Sequence, residues 1–142
     1  MVLPHLPQAG EGEVKQCQRC GRWGDVERHH KVPKGMGAGK GFDFPANYID
    51  LCWDCHQGNQ GAHRDSGVML EYKLEVQAYL FETLTESHYL PEDLVKTIKL
   101  PKKQAYKVVR PLFLDNEGYR KEDIIRQLMG GKIYDWTDKH AV

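Results

Sequence analysis

The chain has 142 residues and no net charge at pH 7, because 20 lysines and arginines balance 20 aspartates and glutamates. Hydrophobic residues make up 40% of it, enough for a core, and no apolar run approaches the roughly 18 residues that a membrane-spanning helix needs. Length and composition therefore predict one compact domain, or a small domain with a helical extension, and no membrane partner. The zero net charge excludes a general electrostatic attraction of the whole molecule to nucleic acid.

Residues 1–14 are predicted to form an extended N-terminal arm. Prolines stand at positions 4 and 7 of this segment. Chain ends without buried contacts are usually poorly ordered. The first folded segment is therefore expected to begin near residue 15.

Two Cys-x-x-Cys pairs follow the arm and use all four cysteines of the chain, Cys17 with Cys20 and Cys52 with Cys55. Each pair places two thiolates on one tight turn, and two such turns supply the four soft ligands of a tetrahedral Zn²⁺ site. We therefore predict one structural zinc ion. A disulfide framework fits less well, because no secretory signal precedes the pairs and a reducing, cytoplasmic location is favoured. A thioredoxin-like redox pair is disfavoured because no βαβ pattern surrounds either motif.

The segment between the two pairs contains more than a zinc ribbon requires. His29 and His30 come first, a glycine-rich run occupies positions 35–41, and Asn47 directly precedes the apolar stretch Tyr48–Leu51. The glycine-rich run predicts a loop between two short strands, and the residues after Cys52 predict at least one helical turn. Neighbouring side chains on a strand point to opposite faces, so His29 and His30 are expected to have different roles.

This order of residues resembles the HNH endonuclease family. The shared features are two histidines before a glycine-rich loop, an asparagine before Leu-Cys-x-x-Cys-His, and a later histidine, within about residues 15–66. The paired cysteines and the Gly-Met-Gly loop are similar to small nucleases of phages and prophages. The resemblance implies an α+β protein with a zinc-stapled ββα-metal core over residues 15–67, which hydrolyses DNA with a divalent metal ion.

The resemblance also implies roles for individual residues. His30 takes the position of the general base, and Asn47 that of the residue that orients the base through a hydrogen bond. The catalytic metal ion, Mg²⁺, Mn²⁺, Ni²⁺ or Zn²⁺, would be held by His29, His56 and His63. The chemistry agrees with these residue types, because phosphodiester hydrolysis needs a base that titrates near neutral pH and a cation that stabilises negative charge on the phosphoryl group.

The last of these ligands departs from the family pattern. A histidine four residues after His56 would lie one helical turn away, but position 60 is a glutamine. His63 stands three residues further on, after two glycines that allow the backbone to loop. We expect His63 to complete the metal site, with Asn59 as the alternative oxygen ligand. Glu27, two residues before His29, could assist the metal ion, but solvation at the strand edge is the favoured expectation.

Residues 68–142 are predicted to form a helical region. Apolar residues recur every three or four positions from about Val68 to Thr85, which is typical of a helix that buries one face. Shorter helices are predicted at 92–100, 102–114 and 119–129, with Gly130 and Gly131 ending the last one. The predicted buried stripe of the long helix consists of Leu70, Leu74, Ala78, Phe81 and Leu84.

Residues 96–110 contain six basic side chains and no acidic one. Such a stripe is expected where a phosphate backbone runs, although a solvated helix face has the same composition. The two helices that share this segment also have the outline of a helix-turn-helix. In a helix-turn-helix, the second helix would present Gln104, Tyr106, Lys107 and Arg110 to the major groove. The predicted nucleic-acid-binding residues are Lys102, Lys103, Lys107 and Arg110.

Three functional classes are compatible with these patterns. The first is a metal-dependent HNH endonuclease that cuts DNA, including branched DNA as the likeness to phage nucleases implies. The second is a zinc-dependent nucleic-acid-binding protein that does not cut, and the third is a zinc-stapled interaction protein. A base beside a metal ion favours the first, because neither binding nor scaffolding needs one. A single HNH unit cuts one strand at a time, so cutting both strands would require two encounters or a homodimer.

Overall fold

The computed structural model describes residues 15–33 and 41–141, so the predicted arm at 1–14 and most of the glycine-rich run lie outside the described residues. The first half forms two antiparallel strand pairs and a short helix. A 3-10 turn at Pro45–Asn47 leads into the last of these strands. Its elements are β1 (Lys15–Gln16), β2 (Trp23–Gly24), β3 (Glu27–His30), β4 (Tyr48–Leu51) and α1 (Trp53–Gln57).

The hairpin of β3 and β4 positions both histidines of the motif. In its register His29 pairs with Ile49 and His30 with Tyr48. Alternation along the strand turns His29 inward, where it is buried, and leaves His30 half-buried on the other face. With α1 following directly, the order is strand, strand, helix, which confirms the predicted α+β class.

The long helix α2 spans Ser66–Thr83, and the Asp65 carboxylate caps it by accepting from the backbone N–H groups of Gly67 and Val68. The predicted buried stripe was wrong at Ala78, which is exposed, and at Phe81, which is 37% exposed. The buried positions include Leu70, Tyr72, Lys73, Val76 and Leu80. These do not form one stripe because α2 packs against two different groups of side chains.

The second half adds three helices and a small sheet. The helix predicted at 102–114 ends at Val109, because Pro111 cannot continue it and the chain enters a strand at Leu114. Similarly, Tyr119 lies in a strand, and the final helix begins at Lys121. The elements are β5 (His88–Tyr89), α3 (Pro91–Ile98), α4 (Lys102–Val109), β6 (Leu114–Asp115), β7 (Gly118–Arg120), α5 (Lys121–Leu128) and a 3-10 helix (Trp136–Ala141).

Two hydrophobic clusters hold the fold together. The smaller one surrounds the cysteines and includes Leu51 and Tyr72. The larger one unites the helical half with the β3–β4 connection, since Val32 and Phe44 pack among residues of α2 to α5. The helical half therefore shares a core with the hairpin that carries the histidines. Within the described residues no helix is both long and apolar enough to cross a membrane.

Candidate metal centre and active site

The four cysteines come together at one end of the molecule. Cys17 and Cys20 lie on the turn between β1 and β2, and Cys52 and Cys55 lie where β4 passes into α1. Their four sulfur atoms all lie within 4.8 Å of one another, and the Sγ atoms of Cys20 and Cys52 are 3.7 Å apart. Tetrahedral zinc, with Zn–S bonds of about 2.3 Å, separates its sulfur ligands by about 3.8 Å. A disulfide would need about 2.05 Å, so these are free thiols with the spacing of a metal site.

The pKa values of Cys17 and Cys55 also favour a cation among the four sulfur atoms. Burial disfavours the thiolate of Cys17, but backbone N–H groups of Cys20, Cys52 and Arg19 outweigh burial and lower its pKa to about 6. Burial and contacts with the other three sulfurs raise the pKa of Cys55 to about 12. The Cys55 thiol thus stays protonated at neutral pH unless a positive charge lies beside it, which a zinc ion would supply.

The predicted catalytic-metal ligands form a second cluster. The ligand nitrogens of His29, His56 and His63 lie within 4.8 Å of one another. The Nε2 atoms of His56 and His63 are 2.8 Å apart, and the ring of His29 lies 5.0 Å and 4.8 Å from those of His56 and His63. Three imidazoles in this arrangement fit a divalent metal ion and leave further coordination positions for water or substrate.

His63 reaches this cluster because the chain folds back after α1. The backbone N–H of His63 donates to the carbonyl of His56 at 3.1 Å, closing a loop over the end of the helix. A Cβ atom at Gly58 or Gly61 would come within 2.9 Å of the Asp54 carbonyl oxygen, so glycine is needed at both positions. Asn59 is exposed and lines a different cavity with Asp54.

The surroundings of the three histidines favour neutral rings at His29 and His63 and orient the ring of His56. Burial, followed by repulsion from neighbouring imidazoles, lowers the pKa of His29 to about 4, and the same two effects lower that of His63. Neutral imidazole is the form that binds metal ions. Glu27 is half-exposed at the strand edge, as expected, and its Oε1 also lies 2.9 Å from Nδ1 of His56. This contact directs Nε2 of His56 toward the cluster.

On the opposite face of β3, His30 pairs with a residue that the sequence did not single out. Nε2 of His30 lies 2.9 Å from Oδ1 of Asp43. Hydrogen bonds from Tyr48, His30 and Gln104 lower the pKa of Asp43 to about 2, so its carboxylate is ionised and can only accept. The proton in this bond therefore belongs to Nε2 of His30, and Nδ1 is the nitrogen left to accept a proton. The only sequence signal for Asp43 was an acidic residue just after the glycine-rich run.

Asn47 does not bond to His30, in contrast to the hydrogen bond that the family resemblance implied. Its buried side chain accepts from the backbone N–H of Val32 at 2.9 Å and donates to the carbonyls of Val32 and Phe42. It thus ties the chain after β3 to the chain before β4. A Cβ atom on Gly41 would lie 2.3 Å from the Val32 carbonyl oxygen and 3.0 Å from the ring of His30. Asn47 thus holds the two ends of the β3–β4 connection together, next to His30.

One cleft of 340 Å³ is lined by the three histidines of the cluster and by His30. Three cationic side chains, Arg28, Lys31 and Lys73, line it as well. Lys31 pairs with Glu75 at 3.1 Å. Lys73 is only 7% exposed, and among the described residues its hydrogen-bond partner is the Tyr134 hydroxyl at 3.5 Å rather than a carboxylate. The cleft thus combines a candidate metal site, a candidate base and positive charge.

The predicted nucleic-acid-binding residues do not line this cleft. They are exposed along α4, and they remain a prediction about a separate surface. These residues are Lys102, Lys103, Lys107 and Arg110.

Comparison with known proteins agrees with the resemblance read from the sequence. The family model described as HNH endonuclease matches residues 17–60, which include both cysteine pairs, His29, His30, Asn47 and His56, and end before His63. No curated protein and no solved structure matches the chain. An HNH domain indicates a nuclease-type function related to nucleic acid, and a site that depends on metal. Residues 17–60 are therefore similar to an HNH endonuclease domain.

Proposed function

We propose that this protein is a metal-dependent DNA endonuclease that hydrolyses phosphodiester bonds in the histidine cleft. The observation that carries the proposal is the meeting, in one cleft, of a three-histidine cluster, a fourth histidine outside the cluster, and cationic side chains. A zinc-dependent protein that only binds nucleic acid would need the cysteine cluster but not this second arrangement.

The chemistry assigns a separate task to each part of the cleft. His29, His56 and His63 would hold a divalent ion, which when bound stabilises the charge on the phosphoryl and leaving oxygens. His30 removes a proton from the attacking water, and Nδ1 is its available nitrogen because Asp43 holds the proton on Nε2. Arg28 and Lys73 line the same space, where their charges attract the phosphodiester. The four cysteines would bind structural zinc and support the hairpin from the other end.

The ligand set favours some metal ions over others. Imidazole nitrogen suits Zn²⁺ and Ni²⁺, whereas Mg²⁺ prefers carboxylate and water oxygen. No carboxylate belongs to the cluster of His29, His56 and His63 among the described residues. We therefore propose Zn²⁺ or Ni²⁺ in this site, with Mn²⁺ and Mg²⁺ as weaker substitutes.

The proposal is tested by incubating the protein with supercoiled plasmid, linear duplex, single-stranded DNA and a four-way junction, with each metal ion or with EDTA. We expect cleavage that EDTA abolishes and that Ni²⁺ or Zn²⁺ restores at lower concentration than Mg²⁺. Nicked plasmid should accumulate before linear plasmid if one site cuts one strand, and a dependence on protein concentration would indicate a homodimer. Binding without cleavage under every metal condition would instead favour the non-catalytic alternative.

His63→Ala tests the least regular ligand. We expect its metal midpoint for cleavage to rise by at least about tenfold, because one of three ligands is lost. Asn59→Ala is the matched control, since Asn59 is exposed in the same loop but lines another cavity. An unchanged midpoint for His63→Ala together with a raised one for Asn59→Ala would transfer the ligand role to Asn59.

Asp43→Asn tests the pairing of His30. An amide keeps the size of the side chain but cannot hold a proton on Nε2 as a carboxylate does, so we expect kcat to fall about 10- to 1,000-fold with little change in KM. In a His30→Ala background the same substitution should have almost no effect. Tyr48→Phe, which removes another hydrogen bond to Asp43, is the control and should lower kcat less. Equal effects of Asp43→Asn in both backgrounds would show that Asp43 acts on folding rather than through His30.

A further inference from the structure

We propose that the helical half contains a second nucleic-acid site, in which α4 docks against double-stranded DNA and leads one strand toward the histidine cleft. This inference rests on the proposed nuclease function and names its substrate class as duplex DNA. It concerns a surface outside the cleft, so binding there can be measured without cleavage.

The first observation is the connectivity of the helical half. The order is α2, β5, α3, α4 and the hairpin of β6 and β7, and the sheet order is β5-β7-β6. This is the connectivity of the winged form of the helix-turn-helix. The chain leaves α3 at Ile98, turns through Lys99 in the left-handed conformation with φ of 62°, and enters α4 at Lys102. In helix-turn-helix proteins the second of these helices enters the major groove.

The second observation is the division of α4 into an apolar face and a basic face. Its buried side chains are those of Ala105, Val108 and Val109. Residues spaced by three and four positions form one exposed stripe on the other side. This stripe is about 10 Å long at 1.5 Å per residue, and it fits a major groove that is about 12 Å wide. The stripe consists of Lys103, Tyr106, Lys107 and Arg110.

The distribution of charge points to α4 rather than to the β6–β7 hairpin as the surface that contacts DNA. No acidic residue occurs between positions 96 and 110. Glu92 of α3 contacts the stripe, where its Oε1 accepts a hydrogen bond of 2.5 Å from Tyr106. The turn of the hairpin carries Asp115 and Glu117, which contact His88 and would repel a phosphate backbone. The α4 surface is thus locally basic although the whole chain is neutral.

The third observation is that α4 contacts the catalytic hairpin. Nε2 of Gln104 donates to Oδ2 of Asp43 at 2.6 Å, and Oε1 of Gln104 accepts from the backbone N–H of Asp43 at 2.7 Å. A second cavity of 440 Å³ lies beside this contact, and Lys99 and Arg28 line it together with the carboxylates of Asp43 and Asp50. Because Arg28 also lines the histidine cleft, the two cavities meet at this arginine. A strand that leaves α4 past Lys99 and Arg28 therefore arrives at the cleft.

The test compares two triple variants of the full chain that remove the same charge. The α4 variant carries Lys103→Gln, Lys107→Gln and Arg110→Gln, which remove three positive charges from α4. The control variant carries Lys121→Gln, Arg126→Gln and Lys132→Gln, which remove three positive charges elsewhere. Binding of a fluorescein-labelled duplex of arbitrary sequence is measured by anisotropy in EDTA over a range of salt. The α4 variant should bind at least about tenfold more weakly, with the slope of log Kd against log salt reduced by up to about 2.7, because each lost phosphate contact removes about 0.9. The control should bind like the parent, and both variants should keep the parental circular dichroism spectrum.

Two further measurements make the result specific. Glu92→Gln should tighten duplex binding about two- to threefold, because it removes the carboxylate beside the stripe while keeping an acceptor for Tyr106. Single-stranded DNA should be affected less than duplex by the α4 variant, because it offers no major groove. An α4 variant that binds duplex like the control, or that loses both DNA forms equally, would overturn the proposal. Failure of the nuclease proposal would look different, as binding with no cleavage by the parent protein under any metal.

Discussion

Replacing His30 with alanine should reduce cleavage about 100- to 10,000-fold, which is the contribution of a positioned general base. His30 is half-buried, pairs with Asp43 and is absent from the main hydrophobic clusters, so the fold should persist. DNA binding should change by less than about threefold, because proton transfer stabilises the transition state rather than the bound substrate. The measurement is single-turnover cleavage of plasmid at saturating protein and a fixed metal concentration, with anisotropy reporting binding.

His88→Ala is a close control for this variant. Nε2 of His88 also lies 2.9 Å from an aspartate oxygen, that of Asp115, and its side chain is 18% exposed against 24% for His30. It lies on β5, away from the residues of the histidine cleft. His88→Ala should keep the parental rate. Parental cleavage by His30→Ala, or an equal loss in both variants, would remove His30 from the role of base.

Replacing Cys52 with serine should unfold residues 15–66. Structural zinc contributes about 10–16 kcal/mol to the folding of small domains, comparable to the whole stability of a typical protein at about 5–15 kcal/mol. The local apolar cluster around Cys17, Leu51 and Cys52 is too small to replace it. Elemental analysis should find a zinc ion in the parent that resists mild chelation and is lost from the variant. The variant should also show a large drop in Tm.

The helical half supplies an internal control for the cysteine variant. Most of the larger cluster belongs to α2 to α5, with Val32 and Phe44 as its contributions from the hairpin. Hydrogen exchange should therefore speed up strongly in β3, β4 and α1 and only modestly in α5. The His30→Ala protein should keep its zinc and its Tm. Full thermal stability of Cys52→Ser, or a parent protein without zinc, would contradict a structural role for the cysteine cluster.

The sequence by itself determined those parts of the site whose geometry depends on residues close together in the chain. Two Cys-x-x-Cys turns bring their thiolates together wherever the chain allows the turns to meet, and the structure has all four sulfurs within 4.8 Å. The alternation of a strand separated His29 from His30, and the glycines before His63 indicated a loop. Each of these inferences depends on backbone geometry over a few residues, which the local sequence specifies.

Tertiary structure alone decided which distant side chains complete the site. Asp43 bonds to His30 and is also held by Gln104, from α4, and Tyr48, from β4. Asn47 was expected to bond to His30 directly, but its carboxamide instead satisfies buried backbone groups of Val32 and Phe42. Such partners are far apart along the chain, and they meet because buried polar groups need hydrogen-bond partners. Residue spacing in the sequence does not show which groups will pair.

The same limit applies to the helical half. The predicted stripe of α2 failed at Ala78 and Phe81 because that helix packs on two sides, toward the cysteine cluster and toward the larger core. Strands β5, β6 and β7 have two or three residues each, too few for an alternating pattern, and exist through their pairing with one another. Local sequence patterns thus located α3, α4 and α5. The small sheet beside them depends instead on long-range contacts, which burial in the shared core stabilises.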